Sequence, residues 1–124
     1  MSEQIRVCID LDGTICEIKK PEDSYLEVPI KKGAREKMQA LKEAGFYLII
    51  HTARGMGTAK ANEGAMMKRI GKDTFDWLAK HEIPYDEIYF GKPNAHVCID
   101  DRAIRFTSWD DITAAGITAV AKER

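Results

Sequence analysis

The sequence predicts an α/β fold: a mostly parallel sheet of about five short strands with flanking helices. Three observations predict it. Five short apolar runs recur along the chain, segments with helical periodicity separate the early runs, and polar residues gather where the runs end.

The runs are IRVCID (5–10), FYLIIH (46–51), DEIYF (86–90), HVCID (96–100) and ITAV (117–120). They are rich in β-branched and aromatic residues and read as continuous rather than alternating, as strands buried on both faces of a parallel sheet do. Between the first two, Ala34, Met38 and Leu41 fall at i, i+4 and i+7, and Gly45 is placed as a C-terminal stop. Between the second and third, Met67, Ile70, Thr74, Trp77 and Leu78 repeat at helical spacing, with Pro84 just beyond and Gly71 or Asp73 as a candidate break. Residues 16–30 and 54–64 form loops longer than their connections demand. Both follow the end of a strand, where open α/β sheets bind ligands.

The 124 residues suit one domain, 1–124, without repeat, linker or low-complexity tract. With 19 basic and 20 acidic residues the net charge is −1, which argues against a general binder of nucleic acid or membrane surfaces. No apolar run approaches the ~18–20 residues of a membrane span and no signal-peptide pattern opens the chain, so the expected location is cytoplasmic. Cys8, Cys16 and Cys98 show neither CxxC spacing nor an even count and read as small core residues or bystanders. His51, His81 and His96 lack metal-ligand spacing, and His51 reads as a packed strand residue.

The polar residues at the strand ends carry the chemistry. The first run ends in Asp10 and Asp12, the second leads to Thr52 and Arg54, the third to Lys92, and the fourth ends in Asp100 and Asp101. Each alone has a bland reading, as a turn, a strand-end hydroxyl or a solvated pair. Together they are harder to dismiss, because crowded carboxylates repel unless a cation intervenes. A hard divalent ion such as Mg2+, bound through oxygen, is the natural compensation and leaves positions for phosphate oxygens.

DLDGT (10–14), IIHT (49–52), GK (91–92) and IDD (99–101) resemble the four ordered motifs of the haloacid dehalogenase-like (HAD) phosphohydrolases, a Rossmann-like fold, and they span nearly the whole chain. DWLAKHEIPYDEIYFGKP and HVCIDDRAIRF are similar to small phosphatases of that superfamily associated with capsular-polysaccharide and nucleotide-sugar biosynthesis. The resemblance implies that Asp10 attacks phosphorus to form an aspartyl-phosphate, while Asp12 protonates the leaving alkoxide and then activates water. It implies Mg2+ between Asp10, the Asp12 backbone carbonyl and Asp100, with Asp101 a ligand through water. It implies that Thr52 bonds a phosphoryl oxygen, that Lys92 offsets transition-state charge, and that Gly13 permits a tight turn close to phosphate. Thr14 would brace that turn.

Two departures from the family follow. Only seven residues separate Lys92 from Asp100, so the third strand is expected to be short; that spacing also resembles the deoxyribonucleotidase branch and keeps a nucleotide 5'-phosphatase as an alternative. Neither interval that houses a cap domain in relatives has room for one, so the chain looks capless. Substrate selection would fall to residues 16–30, to residues 54–64 or to a partner chain, with Arg54 a candidate substrate-binding group. The expected substrate is a small phosphorylated sugar or polyol. A homo-oligomer is expected to close the site, with Phe106, Trp109 and Ile112 as contact candidates if they are not core. A receiver-type phosphoacceptor domain is the non-hydrolytic alternative; its acid pair stands on the first strand and its phosphoacceptor on the third, an order this chain does not follow.

Overall fold

The computed structural model describes residues 4–55 and 63–123. Three parallel strands, β1 (Arg6–Asp10), β2 (Tyr47–His51) and β3 (Glu87–Tyr89), form a sheet in the order β1-β2-β3. Helices α1 (Ala34–Glu43), α2 (Glu63–Lys80) and α3 (Ala114–Ala121) and a 3-10 turn (Trp109–Asp111) complete the described elements. None of these helices is long and apolar enough to cross a membrane.

β2 is central and its middle residues Leu48, Ile49 and Ile50 are buried; in β1 only Ile9 is. The register sets Asp10 opposite His51, and the ladder runs on past both strand ends: Leu11 N donates to the His51 carbonyl (3.2 Å), Thr52 N to that of Tyr89 (3.0 Å) and Lys92 N to that of Thr52 (3.2 Å). Backbone pairing therefore aligns the first three motifs at one edge of the sheet. β3 has three residues, as the short spacing to the last motif led one to expect.

α1 buries Ala34, Met38 and Leu41, the stripe read from the sequence. It ends as anticipated: Gly45 sits at φ +99°, its N–H donates to the Lys42 carbonyl, and Phe46 N donates to that of Leu41. Those two bonds satisfy carbonyls left open by the last turn. α2 runs unbroken through Gly71 and Asp73, with space around Gly71, and buries Thr74, Trp77 and Leu78. Trp77 Nε1 donates to the Val28 carbonyl (2.7 Å), pinning the loop of residues 16–30 to the core. Full burial of an aliphatic side chain such as Leu48 or Ile50 contributes roughly 1.5–3 kcal/mol, so β2 is one anchor of the core beside Met38 of α1 and Trp77 of α2.

Two expected strands are not formed. Residues 117–120 lie in α3, not in the sheet. The Thr113 side chain caps that helix by accepting from Gly116 N (3.0 Å), and the alanines around ITAV favour helix, so local capping outweighs the β-branched run. HVCID (96–100) pairs with no strand among the described residues; positions 93–105 are all exposed. Cys8 and Cys98 are accordingly exposed rather than core, and Cys16 alone is buried. Trp109 is buried, with Phe106 and Ile112 packed beside it, so this group belongs to the core of its own chain. Lys37 Nζ, donating to the Ile112 carbonyl, ties that segment to α1.

Thr113→Ala removes the cap and is expected to lower the unfolding free energy by about 1 kcal/mol, while Thr113→Ser keeps most of it. Urea denaturation of the two variants checks this, and equal stability would contradict a capped helix here.

Candidate active site

The carboxyl edge of the sheet holds two ion pairs. Lys92 Nζ lies 3.2 Å from Asp10 Oδ1, both side chains being partly exposed. Asp12 is held by four groups. Arg54 Nε reaches both of its oxygens at 3.1 Å, Arg54 Nη2 bonds Oδ1 at 2.8 Å, Thr52 Oγ1 donates to Oδ2 at 3.1 Å, and Cys16 Sγ approaches Oδ1 at 3.6 Å. The Asp12 side chain keeps 28% of its surface exposed, whereas that of Arg54 keeps 1%.

The DLDGT turn presents these acids. Asp10 ends β1, Leu11 is fully buried, and Ile15 N and Cys16 N fold back onto the Leu11 carbonyl. Gly13 takes φ +89°, a conformation that favours glycine, and a Cβ there would stand 3.2 Å from Ile18 Cδ1, so that exposed side chain would have to give way as well. Thr14 braces the turn through its carbonyl, which accepts from Trp109 Nε1 (2.8 Å).

Arg54 departs from its reading as a substrate-binding group in an open loop. Its guanidinium is turned inward, with Nη1 donating to Thr74 Oγ1 (2.9 Å), Nη2 directed at Cys16 Sγ (3.6 Å) and the carbon end 4.0 Å from the Tyr25 ring centroid. A buried cation needs such partners, and Asp12 is the charged one. Thr52 is likewise fully buried: it accepts from Arg54 N (3.1 Å) and donates to Asp12, so its hydroxyl positions the acid. Thr74 and Tyr25 were not singled out by the sequence as site residues. Thr74 had a signal, a hydroxyl within the apolar stripe of α2; Tyr25, in an irregular loop, had none.

A cleft of about 390 Å³ opens above these groups, lined by Asp12, Ile18, Lys19, Pro21, Tyr25, Ala53 and Arg54. The loop of residues 16–30 thus forms one wall. Of the second expected wall, residues 54–64, positions 56–62 lie outside the described residues. Burial pushes the Cys16 thiol up to about 12, assisted by Asp12 and opposed by Arg54, so it stays protonated and unreactive. Burial and nearby Lys92 hold His51 below its usual range against the pull of Asp10, which keeps the ring neutral and consistent with a packed residue.

Asp100 and Asp101 do not join this site. They stand on the exposed segment, where Arg102 N donates to Asp100 (3.0 Å) and, with Asp101, lowers its pKa. Among the described residues no group of three or more His, Cys, Asp or Glu side chains could hold a metal. Asp10 and the Asp12 carbonyl are the oxygens one chain offers at this edge, and Mg2+ held there would take waters and phosphate oxygens for the rest of its six-coordinate shell.

Neither a protein-family model nor a curated protein matches the chain. Solved structures do. The D,D-heptose 1,7-bisphosphate phosphatase of B. bronchiseptica, crystallised with magnesium and phosphate, is 17% identical with a TM-score of 0.50 over 76% of this chain and 54% of that one. A chain of the Pnkp1/Rnl/Hen1 complex is 20% identical with a TM-score of 0.50 over 77% of this chain and 30% of that one. At these identities the likeness is one of fold: a small α/β domain with a parallel sheet and flanking helices, HAD-like in architecture. A structural-genomics target from Vibrio cholerae is 30% identical, with a TM-score of 0.79 over 98% of this chain and 100% of that one. The chain belongs to the same family as that protein.

Arg54→Lys keeps the charge but cannot fork to Asp12 and Thr74 together. We expect it to retain the fold, and Arg54→Ala to cost about 2–4 kcal/mol by leaving Asp12 and Thr74 without their shared partner. Urea midpoints of both variants check this; an Arg54→Ala protein as stable as wild type would mean that the pair does not hold the site together.

Proposed function

We propose that the protein is a Mg2+-dependent phosphomonoesterase that hydrolyses a small sugar or polyol phosphate through an aspartyl-phosphate. The observation that carries this reading is the pairing of Lys92 with Asp10 at the sheet edge beside an Asp12 held by Arg54 and Thr52. A nucleophilic carboxylate must approach a phosphate of the same sign, and an adjacent ammonium offsets the repulsion.

Asp10 stands at the strand end with its side chain partly exposed, so it supplies the attacking oxygen. Lys92 accompanies the charge that develops on the phosphoryl oxygens. Asp12 shares the edge two residues on, and its exposed portion faces the cleft, where it serves as acid to the leaving oxygen and base to water. Arg54 and Thr52 act as positioning residues that fix the rotamer of Asp12. Tyr25, Ile18 and Lys19 bound a cleft of metabolite size with an aromatic, an aliphatic and a cationic wall, which suits a small polar phosphate ester. The likeness in fold to a sugar-bisphosphate phosphatase crystallised with magnesium supports the cofactor and the substrate class.

Hydrolysis of p-nitrophenyl phosphate in Mg2+, abolished by EDTA, tests the reading. Asp10→Asn is expected to keep the fold and lose more than ~10³-fold in kcat; a variant retaining more than a few per cent of the rate would exclude a covalent role. Asp12→Asn should separate substrates by leaving group, with an alkyl phosphate losing ~10²-fold or more and the activated aryl ester much less, since a poor leaving group depends most on general acid. Equal losses would remove Asp12 from that role.

A further inference from the structure

The last motif is stranded on an exposed segment, and chain length forbids its own sheet from collecting it. Lys92 is tied to the Thr52 carbonyl at the carboxyl edge, on the β3 side of β2. For Asp100 to stand beside Asp10 on a parallel strand, His96 must lie level with Arg6 on the outer side of β1. That start is about 22 Å from Lys92, a drop of about five residues at ~3.3 Å and a sideways step of three ~4.8 Å strand spacings. The four residues available reach only about 14 Å when fully extended. Parallel neighbours ordinarily need a crossover of about a dozen residues or more.

Both halves of the missing pairing are nevertheless present. β1 has β2 on one side and no strand on the other among the described residues, and it is the less buried of the two. The exposed segment carries a β-branched run, with Val97 75% and Ile99 100% exposed, an apolar surface that a parallel sheet would cover. The run also repeats the edge strand: Val97-Cys98-Ile99-Asp100 has the same residues as Val7-Cys8-Ile9-Asp10.

We propose that residues 93–105 are an exchanged arm, in which 96–100 of one copy adds as a fourth parallel strand to the free edge of β1 in a second copy. A twofold axis satisfies the geometry. Leaving the carboxyl edge, the arm runs antiparallel to its own β1, which is parallel to the β1 of a copy related by that axis. The two sheets join through two antiparallel central arms, and each arm ends at the other copy's carboxyl edge. From Asp101 the five residues to Phe106 span about 17 Å, one strand length, which returns the chain to its own core at Phe106 and Trp109. Asp100 and Asp101 of each copy then complete the oxygen set begun by Asp10 and the Asp12 carbonyl of the other. The role of the acids rests on the phosphatase reading; the exchange itself does not.

Three measurements on the full chain test it. Light scattering at micromolar concentration is expected to give a dimer, and a monomer overturns the exchange. With Asp100 level with Asp10, Cys98 of one copy neighbours Cys8 of the other, on the same face and about 5 Å apart between Cα atoms. Dibromobimane, which alkylates two close thiols with loss of two bromides, should join wild-type copies covalently, and neither Cys8→Ser nor Cys98→Ser should be joined. A failure to join the wild type overturns the proposed register. Finally, Asp10→Asn and Asp100→Asn chains, each inactive alone, should recover about a quarter of wild-type activity when unfolded and refolded together, since random pairing gives half mixed dimers with one intact site in two. No recovery overturns the supply of Asp100 in trans. If the wild type dimerises and joins through Cys8 and Cys98 but hydrolyses no phosphate ester, the exchange stands and the phosphatase reading falls.

Discussion

The fork of Arg54 on Asp12 is the interaction on which the site depends. It joins the turn after β1 to the segment after β2, and through Thr74 it reaches α2. A guanidinium with 1% of its surface exposed is tolerable only with a carboxylate and several acceptors around it. The same pairing answers why two acids can stand at one strand end. Asp12 is compensated by Arg54 and Asp10 by Lys92, so each carboxylate has its own cation before any ligand arrives. Thr52 completes the arrangement by bonding Asp12 while it also receives the Arg54 backbone N–H.

The sheet converts sequence spacing into this geometry with little freedom. In parallel strands with the register Asp10 to His51 and His51 to Tyr89, residues one to three beyond each strand end arrive at the same edge. Three of the four motifs therefore meet without a specialised loop. The fourth meets a limit of reach: a chain fixed at Lys92 cannot descend the sheet and cross two strands in four residues. An exchanged arm resolves that limit through symmetry, and it would cover Val97 and Ile99, whose exposure is otherwise costly. The same exchange would make dimerisation and completion of the cation site one event, so that neither copy holds a full set of acids alone.

The sequence by itself determined the α/β class, the core stripe of α1, the Gly45 stop, the central strand at FYLIIH and the place of Asp10 and Asp12 at the carboxyl edge. These are local or periodic properties: apolar spacing, a glycine at positive φ, polar residues just past strand ends. Only the tertiary structure decided the rest. ITAV became helix because a cap at Thr113 and flanking alanines outweighed a four-residue β-branched run. That Arg54 and Thr52 support Asp12 was decided there too, because burial depends on what α2 and the loop at Tyr25 place above them. HVCID reads as a strand by composition, yet whether a strand forms depends on a free edge within reach. Reach is set by the positions of Lys92 and β1 in space, which no window of residues contains.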